Sequence, residues 1–181
     1  MANVLIDAAH GGNDFGGILY RRSEKVDTLR LAFEVAQILL LRGINVAFTR
    51  VTDSYLSPIV RVRIANSEGG DLLMFIHRTI DPIVKPGLEV GFSFSSVVEV
   101  AEVAELAADN ISKQLYVLGF NYENRQMRDD YMILNDSQMP AFNIVVGNIL
   151  SEEDNEFFDA HLHEIANAIA NGIIKSLQHF Q

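Results

Sequence analysis

The sequence contains no cysteine, and this absence excludes several kinds of chemistry. No disulfide can form, and neither a thiolate metal ligand nor a cysteine nucleophile is available. Any bound metal ion must therefore be held by histidine, aspartate or glutamate. The sequence also lacks a Gly-x-Ser-x-Gly elbow, a Gly-Lys-Ser or Gly-Lys-Thr phosphate loop, and a dinucleotide fingerprint after its first predicted strand. Nucleophilic and nucleotide-dependent catalysis are accordingly poorly supported.

Positive charge is also scarce. The chain has 14 Lys and Arg residues against 24 Asp and Glu residues, and its formal net charge is −10. Because basic residues supply the affinity for phosphates and anionic lipids, we expect neither a nucleic acid nor a membrane as a partner. No apolar run approaches the length of a membrane span, and the N-terminus lacks the features of a signal peptide. The cellular location stays open.

What the sequence does contain is a regular alternation of strand and helix patterns. Its 181 residues, 49% of them hydrophobic, suit one domain with a sizeable core. The predicted strands are NVLI, INVAFT, DLLMFI, GLEVGFSF, DYMILND and AFNIVV. The predicted helices are residues 26–41, the segment that Ser57 and Pro58 begin, a long segment from VVEVAEVAEL, and a C-terminal segment from DAHLHEIANA. This order predicts a three-layer α/β domain.

Two histidines and a glutamate are the candidate metal ligands. His10 follows the first predicted strand, His77 ends the third, and Glu24 precedes the first helix. Parallel neighbouring strands would bring His10 and His77 to the same edge of the sheet. Two histidines and a carboxylate form one of the catalytic zinc sets, which keep a fourth position for water. The spacing alone leaves open that each histidine is an ordinary hydrogen-bonded residue.

The segment MPAFNIVVGNILSEED, residues 139–154, has the pattern of a buried strand that ends in an acidic loop. In α/β proteins, ligands bind outside the carboxyl ends of the strands, so a reactive side chain is expected at this position. Val145 and Val146 stand there instead. Neither side chain can accept or donate a proton.

Five segments, in order, resemble the catalytic domain of zinc-dependent N-acetylmuramoyl-L-alanine amidases, the Amidase_3 family. They are VLIDAAHGG, SEKVDTLRLAFEVAQILLLRGINVAFTR, RVRIANSEGGDLLMFIH, MPAFNIVVGNILSEED and IANAIANGIIKSL. They resemble the His-Gly-Gly loop, the Glu-led helix with its Thr-Arg strand, the Arg-x-x-x-Ala-Asn helix with its His-ended strand, the Pro-Ala segment and the closing helix. The resemblance covers nearly the whole chain. It implies one amidase-like catalytic domain over residues 1–181, with a six-stranded, mixed, mostly parallel sheet flanked by helices.

The resemblance also implies a site and a substrate. The family's three zinc ligands fall on His10, Glu24 and His77, so zinc is the implied cofactor. The implied substrate is the amide between the lactyl group of N-acetylmuramic acid and L-alanine in peptidoglycan. The stem peptide of the cell wall is therefore the implied partner, and family members act at the wall.

The general base of the family is missing. The family ends its Pro-Ala strand with a glutamate that takes the proton of the attacking water and returns it to the leaving amine. Counting from Pro140, that place holds Val145. Loss of general acid–base help typically costs on the order of 100- to 10,000-fold in rate. Glu89, Glu152 and Glu153 are the carboxylates considered as substitutes.

Further departures cluster around the implied site. Arg78 follows the histidine ligand where the family usually has alanine, and Asn148 stands where phenylalanine is usual. An arginine beside the metal could bind a carboxylate, so Arg78 and Asn148 are the predicted substrate-binding residues. Two interpretations stay open: a zinc amidase with reduced activity, or a non-catalytic domain that binds cell-wall peptide or a partner protein. A zinc exopeptidase acting on ordinary peptides rests on fold analogy alone.

Overall fold

A computed structural model of the protein describes residues 3–80, 89–94, 98–125 and 132–179. Its strands are β1 (Asn3–Ala8), β2 (Ile18–Leu19), β3 (Arg22–Ser23), β4 (Asn45–Phe48), β5 (Leu72–Thr79), β6 (Glu89–Phe94), β7 (Asn121–Arg125) and β8 (Ala141–Asn148). Its helices are α1 (Glu24–Leu41), α2 (Pro58–Glu68), α3 (Val98–Val117), α4 (Met132–Asn135), α5 (Glu152–Ala160) and α6 (Leu162–His179).

Six of the strands form one sheet in the order β4-β1-β5-β8-β6-β7, and β2 and β3 form a separate hairpin. The pairs β4–β1, β1–β5, β5–β8 and β6–β7 are parallel, whereas β6 runs antiparallel to β8. The central strands β1, β5 and β8 are continuous apolar runs because helices cover the sheet on both faces. The prediction of a mixed, mostly parallel six-stranded sheet is confirmed.

The two faces of the sheet support two hydrophobic cores. The larger core joins α1, α3 and α6 to one face, on which Ile6, Met74 and Ile144 are fully buried. The smaller core joins Leu73 and Phe75 of the opposite face to residues of α2 and α4. Each side chain of this size that is fully buried contributes about 1.5–3 kcal/mol of hydrophobic free energy.

The alternation of side chains along β5 decides where its last residues point. Successive side chains of a strand project to opposite faces. Leu73 and Phe75 belong to the smaller core, so His77 continues their row past the edge of that core. Arg78 continues the opposite row, which faces the larger core. The histidine and the arginine are adjacent in sequence but lie on opposite sides of the sheet.

One predicted strand is wrong, and three observed strands, β2, β3 and β7, were not predicted. Within DYMILND, the described residues Met132–Asn135 form the short helix α4 instead of a strand. The sixth strand of the sheet is β7, whose sequence NYENR has no apolar run. Since β7 lies at the edge and pairs only with β6, it does not need the apolar pattern that marks a buried strand.

The predicted C-terminal helix, which began at Asp159, begins at Leu162 instead, and the acidic loop predicted before it leads into a separate helix, α5 (Glu152–Ala160). The helix α5 ends at Ala160, and α6 begins at Leu162 after a turn at His161. An apolar stripe of α6 packs against the larger core, where Ile165, Ile169 and Ile173 are all fully buried. Within the described ranges, no helix combines the length and the apolar composition that crossing a membrane requires.

Candidate metal centre

The strand pairing brings the candidate ligands to one edge of the sheet. In the parallel pair of β1 and β5, Ala8 stands opposite Ile76, so His10 and His77 both come just beyond this register. Glu24 begins α1, directly after the β2–β3 hairpin. One ligand atom from each of His10, Glu24 and His77 lies within 4.8 Å of the others. Among the described residues, this is the one such cluster of three or more potential metal ligands.

The carboxylate of Glu24 sits between the two imidazole rings. His10 Nε2 lies 3.2 Å from Glu24 Oε2, and His77 Nδ1 lies 3.2 Å from Glu24 Oε1. The ring centroids of the two histidines are 5.3 Å apart, with an angle of 87° between the ring planes. Three nitrogen and oxygen donors thus converge on a small volume, as a metal-binding set requires.

Backbone amides fix the orientation of the glutamate. Gly17 N–H donates to Glu24 Oε2 at 2.9 Å, and Arg78 N–H donates to Glu24 Oε1 at 2.9 Å. The side chain of Glu24 is only 3% exposed. Burial opposes ionisation of this carboxyl, but the hydrogen bonds from His10 and His77 outweigh it and hold the pKa of Glu24 well below its usual range. The carboxylate is therefore charged and already aimed at the histidines.

Protons and cations compete for the same site. Burial lowers the pKa of His10, but the hydrogen bonds and negative charges of Glu24 and Asp14 outweigh burial and leave that pKa raised. In the ion-free protein, His10 is therefore easily protonated beside the glutamate. A metal ion that binds there must displace this proton, so its affinity falls as the pH falls.

Asp14 contacts the ring nitrogen of His10 that does not contact Glu24, and the sequence analysis did not identify it. Its Oδ2 is hydrogen-bonded to His10 Nδ1 at 2.9 Å, while its Oδ1 accepts from Gly16 N–H at 3.1 Å. Metal-binding histidines typically donate their second ring N–H to such a carboxylate, which orients the ring. The only signal in the sequence was an acidic residue four positions after His10 in the same glycine-rich loop.

The glycines of this loop allow the close approach of its neighbours. A Cβ atom at Gly16, whose φ is +64°, would lie 2.5 Å from His10 Cδ2 and 2.7 Å from Glu24 Oε2. A Cβ atom at Gly17 would lie 2.3 Å from a methyl group of Ile80. Any side chain at either position would therefore displace the residues that surround the metal centre.

Val145 lies directly beside this centre. In the parallel pair of β5 and β8, Val145 stands opposite His77, so both side chains project from the same face of the sheet. Val145 is partly exposed, unlike the fully enclosed Ile144 and Val146 on either side of it. The position next to His77 is therefore accessible but carries an aliphatic side chain.

The three candidate substitutes for the missing base lie on two other elements, α5 and β6. Glu152 and Glu153 are exposed in the first turn of α5, and so are not in the loop where the sequence placed them. Glu89 begins β6, two residues before Gly91, which pairs with Val145 on the side away from His77. Their role as proton acceptors stays a prediction.

Arg78 makes its contacts inside the fold, on the face opposite His77. Its guanidinium is almost fully buried, and Nη1 donates to Asp27 Oδ2 and to Asn155 Oδ1, at 2.7 Å each. Nε donates to Val146 O at 3.1 Å. These contacts join β5 to α1, α5 and β8. Binding of substrate by the Arg78 side chain stays a prediction.

Asn148 is also buried at the end of β8. Its N–H donates to Asp154 Oδ2 at 2.8 Å, and its side-chain Oδ1 accepts from Leu150 N–H at 2.9 Å. These bonds connect the strand end to the beginning of α5, where Ser151 Oγ also accepts from Asp154 N–H. A substrate-binding role for Asn148 stays a prediction.

Comparison with known proteins agrees with this architecture. The family model of N-acetylmuramoyl-L-alanine amidases, Amidase_3, matches residues 4–175. The Bacillus subtilis protein YqiI is 31% identical over 173 residues, which cover 94% of this chain and 82% of YqiI. The sporulation-specific N-acetylmuramoyl-L-alanine amidase of Bacillus subtilis is 26% identical over 178 residues, which cover 96% of this chain and 67% of that enzyme.

Among solved structures, the amidase AmiC2 of Nostoc punctiforme superposes with a TM-score of 0.82 at 27% identity. The superposition covers 98% of this chain and 97% of the AmiC2 chain. The family model spans nearly the whole sequence, and the similarity to solved structures extends over the complete sheet and its helices. This chain therefore belongs to the Amidase_3 family of N-acetylmuramoyl-L-alanine amidases.

Proposed function

We propose that this protein is a zinc-dependent N-acetylmuramoyl-L-alanine amidase domain whose turnover is reduced because Val145 occupies the place of the general base. The proposed substrate is peptidoglycan, cleaved at the amide between the lactyl group and L-alanine of the stem peptide. The observation that carries the proposal is the convergence of donor atoms from His10, Glu24 and His77 within 4.8 Å.

The donor set suits zinc better than magnesium or calcium. Magnesium and calcium prefer sites made of oxygen ligands, whereas two imidazole nitrogens and one carboxylate form a catalytic zinc set. When bound, zinc would act as a Lewis acid on the amide carbonyl and lower the pKa of its bound water to about 7. The orientation that Asp14 imposes on His10 also favours this assignment, because it leaves Nε2 directed at Glu24.

Different residues of the chain would hold the cation, align the glutamate and form the wall of the site. His10, Glu24 and His77 would hold the cation, and the amides of Gly17 and Arg78 would keep the glutamate aligned. The partly exposed Val145 would shape the wall of the site beside His77 but move no proton. Without a positioned base, we expect turnover roughly 100- to 10,000-fold below that of a family member that has one.

A second candidate function rests on the same strand end. The aliphatic side chain next to His77 is compatible with a domain that has lost hydrolysis and that binds cell-wall peptide or a partner protein through the metal cleft. In this alternative a carbonyl or carboxylate group of the bound peptide would be a ligand of the cation.

The experiment that separates these functions is release of stem peptides from purified peptidoglycan by the zinc-loaded protein, quantified by mass spectrometry. The matched control is Glu24→Gln, which keeps the shape of the side chain and removes its charge. We expect slow release at the lactyl–alanine bond by the native protein and none by the control. Peptidoglycan binding without release, by folded and zinc-loaded protein, would support the second function. Failure of the native protein to take up zinc would overturn the proposal.

A further inference from the structure

The loop that carries His10 contains a strained backbone conformation. His10 has a φ of +62°, in the left-handed region that side chains other than glycine rarely adopt. Together with Tyr20, it is one of two such non-glycine residues in the described part of the chain. Conformations of this kind persist only where the surrounding structure holds them.

The restraint is visible in the carbonyl groups around His10. Each backbone carbonyl from residue 8 to residue 12 accepts a hydrogen bond. Two arginines, which lie outside the proposed ligand set, supply most of these bonds. Arg50 follows β4, and Arg61 lies in the first turn of α2. Both are almost fully buried.

Arg61 contacts the loop with two nitrogens, and its third nitrogen contacts Leu56. Its Nη2 donates to His10 O at 2.7 Å, and its Nη1 donates to Ala8 O at 2.9 Å. Nη1 is also held by both oxygens of Asp7, at 2.9 and 3.0 Å, and Nε donates to Leu56 O at 3.0 Å. The guanidinium is thus anchored at both ends and presents a fixed donor to the carbonyl of the metal-ligand residue.

Arg50 holds the two residues before His10. Its Nε donates to Ala8 O at 2.8 Å, and its Nη2 donates to Ala9 O at 2.9 Å. The hydroxyl of Thr28 donates to the same Ala9 carbonyl at 2.9 Å. The loop is therefore restrained by charged donors immediately before His10 and at His10 itself.

We propose that Arg61, assisted by Arg50, is a positioning residue of the metal centre: it holds the His10 carbonyl and thereby keeps His10 in the left-handed conformation that directs Nε2 toward Glu24. This inference rests on the proposed function, since it concerns affinity for the metal ion. Arg61 neither binds the ion nor touches the substrate. It acts through the backbone of a ligand residue.

The planar guanidinium is essential to this role. Arginine offers five donors in a rigid fork, whereas lysine offers a compact charge with three rotatable donors. A lysine at position 61 would retain attraction to the buried Asp7 carboxylate. It could not also reach the carbonyls of Leu56, Ala8 and His10, which the three guanidinium nitrogens contact separately. Arg61→Lys therefore tests geometry while it preserves charge.

The test measures zinc affinity by competition with a chromophoric chelator, at a temperature well below the unfolding of every variant. We expect Arg61→Lys to bind zinc 10- to 100-fold more weakly than the native protein, the range typical for loss of a partner outside the ligand shell. We also expect a changed visible absorption spectrum of the cobalt-substituted protein, because the position of a ligand has changed. Substituting Arg50→Lys should shift both readouts in the same direction.

Two control variants distinguish positioning from general loss of stability. Arg30→Lys makes the same chemical change at a partly exposed residue that pairs with Asp159, and it should leave affinity and spectrum unchanged. Ile173→Ala opens a cavity in α6 within the larger core, and it should lower stability but not the affinity of the folded protein.

The outcomes are separable. If the native protein binds no zinc, the proposed function fails. If the native protein binds zinc and Arg61→Lys binds it equally tightly with an unchanged cobalt spectrum, the positioning role alone is overturned. If Arg61→Lys does not fold, Arg50→Lys decides the question by the same two readouts, and native-like values there would overturn the inference.

Discussion

The ends of β1 and β8 meet near the same metal centre but are built in different ways. Beyond β1, the carbonyls of residues 8–12 are all hydrogen-bonded, and His10 is held by Asp14 on one side and directed at Glu24 on the other. The end of β8 offers Val145 beside His77, and its next polar contacts turn away toward α5. In the proposed amidase, the end of β1 would help to hold the cation, whereas the end of β8, where the family has its proton-transferring glutamate, carries Val145.

The largest expected effect would come from restoring a proton acceptor at the end of β8. We predict that Val145→Glu increases stem-peptide release by about 100- to 10,000-fold, because a carboxylate beside His77 supplies general acid–base help. The measurement is the rate of release from peptidoglycan by zinc-loaded protein. Val145→Gln is the matched control, since it has the same size and no basic carboxylate. Equal rates for both variants would contradict the assignment of position 145.

A second prediction concerns Arg78, whose side chain lies on the face of the sheet opposite His77. Arg78→Met should lower the free energy of unfolding by about 3 kcal/mol or more, because it leaves the buried Asp27 without one of its charged partners. Arg22 still pairs with Asp27, so the low end of this range is expected. Urea denaturation measures the effect. Zinc affinity should not change, since the guanidinium lies on the face opposite His77.

The control for that measurement is Arg63→Met, an exposed arginine of α2, which should change stability by no more than about 0.5 kcal/mol. Weakened peptidoglycan binding by Arg78→Met, with unchanged stability, would support the prediction that Arg78 binds substrate.

A third prediction concerns the support behind His10. Asp14→Asn should weaken zinc binding by about 10- to 100-fold, because the carboxylate that orients the imidazole is lost. Chelator competition measures the affinity. Asp71→Asn is a suitable comparison, since Asp71 is exposed and accepts a hydrogen bond from Asn3 N–H at the other end of β1. Equal losses in the two variants would argue against a specific role for Asp14.

The smallest expected effect lies far from the centre, where Asp159 of α5 accepts hydrogen bonds from Arg22 and Arg30. The hydrogen bond from Arg22 is the main cause that holds the pKa of Asp159 below its usual value. Because the carboxyl's pKa is lower in the folded state, its contribution is present above the unfolded pKa of about 3.9 and is lost as the pH falls through the folded pKa.

Because this pair is partly exposed, Asp159→Asn should cost no more than about 1 kcal/mol at pH 7. The difference from the native protein, followed by urea denaturation between pH 7 and pH 3, should shrink as the pH falls. High salt should reduce it as well. A difference that grows toward acid pH would show that the pair is not the source of the effect.

Local patterns were sufficient for most of the fold. The apolar runs of β1, β5 and β8 and the helical periodicity of α1, α3 and α6 were all recognisable, because burial on a sheet or helix imposes a period on the sequence. The same reasoning failed at β7, whose polar residues lie at the sheet edge, and at α4, where a short apolar run was mistaken for a strand. Short apolar runs do not distinguish the two structures.

The candidate site could be located from the sequence, but not its surroundings. His10, Glu24 and His77 were named from strand ends and family resemblance, and the structure brings them together. Substrate binding by Arg78 stays a prediction, because it was inferred from the position of Arg78 next to His77 in the sequence, whereas the described contacts of its guanidinium are inside the fold. Successive side chains of a strand project to opposite faces, so Arg78 points away from the face of His77. On that other face its guanidinium forms an ion pair with Asp27.

The sequence by itself determined which kinds of donor could form the centre, since it contains no cysteine, and it determined that position 145 has no proton to transfer. Only the tertiary structure decided how the centre is held. Arg50 and Arg61 reach carbonyls of the His10 loop across separations of 41 to 53 residues. Contacts over such distances leave no periodic trace in the sequence, because they depend on the pairing of strands and the packing of α2 against the sheet.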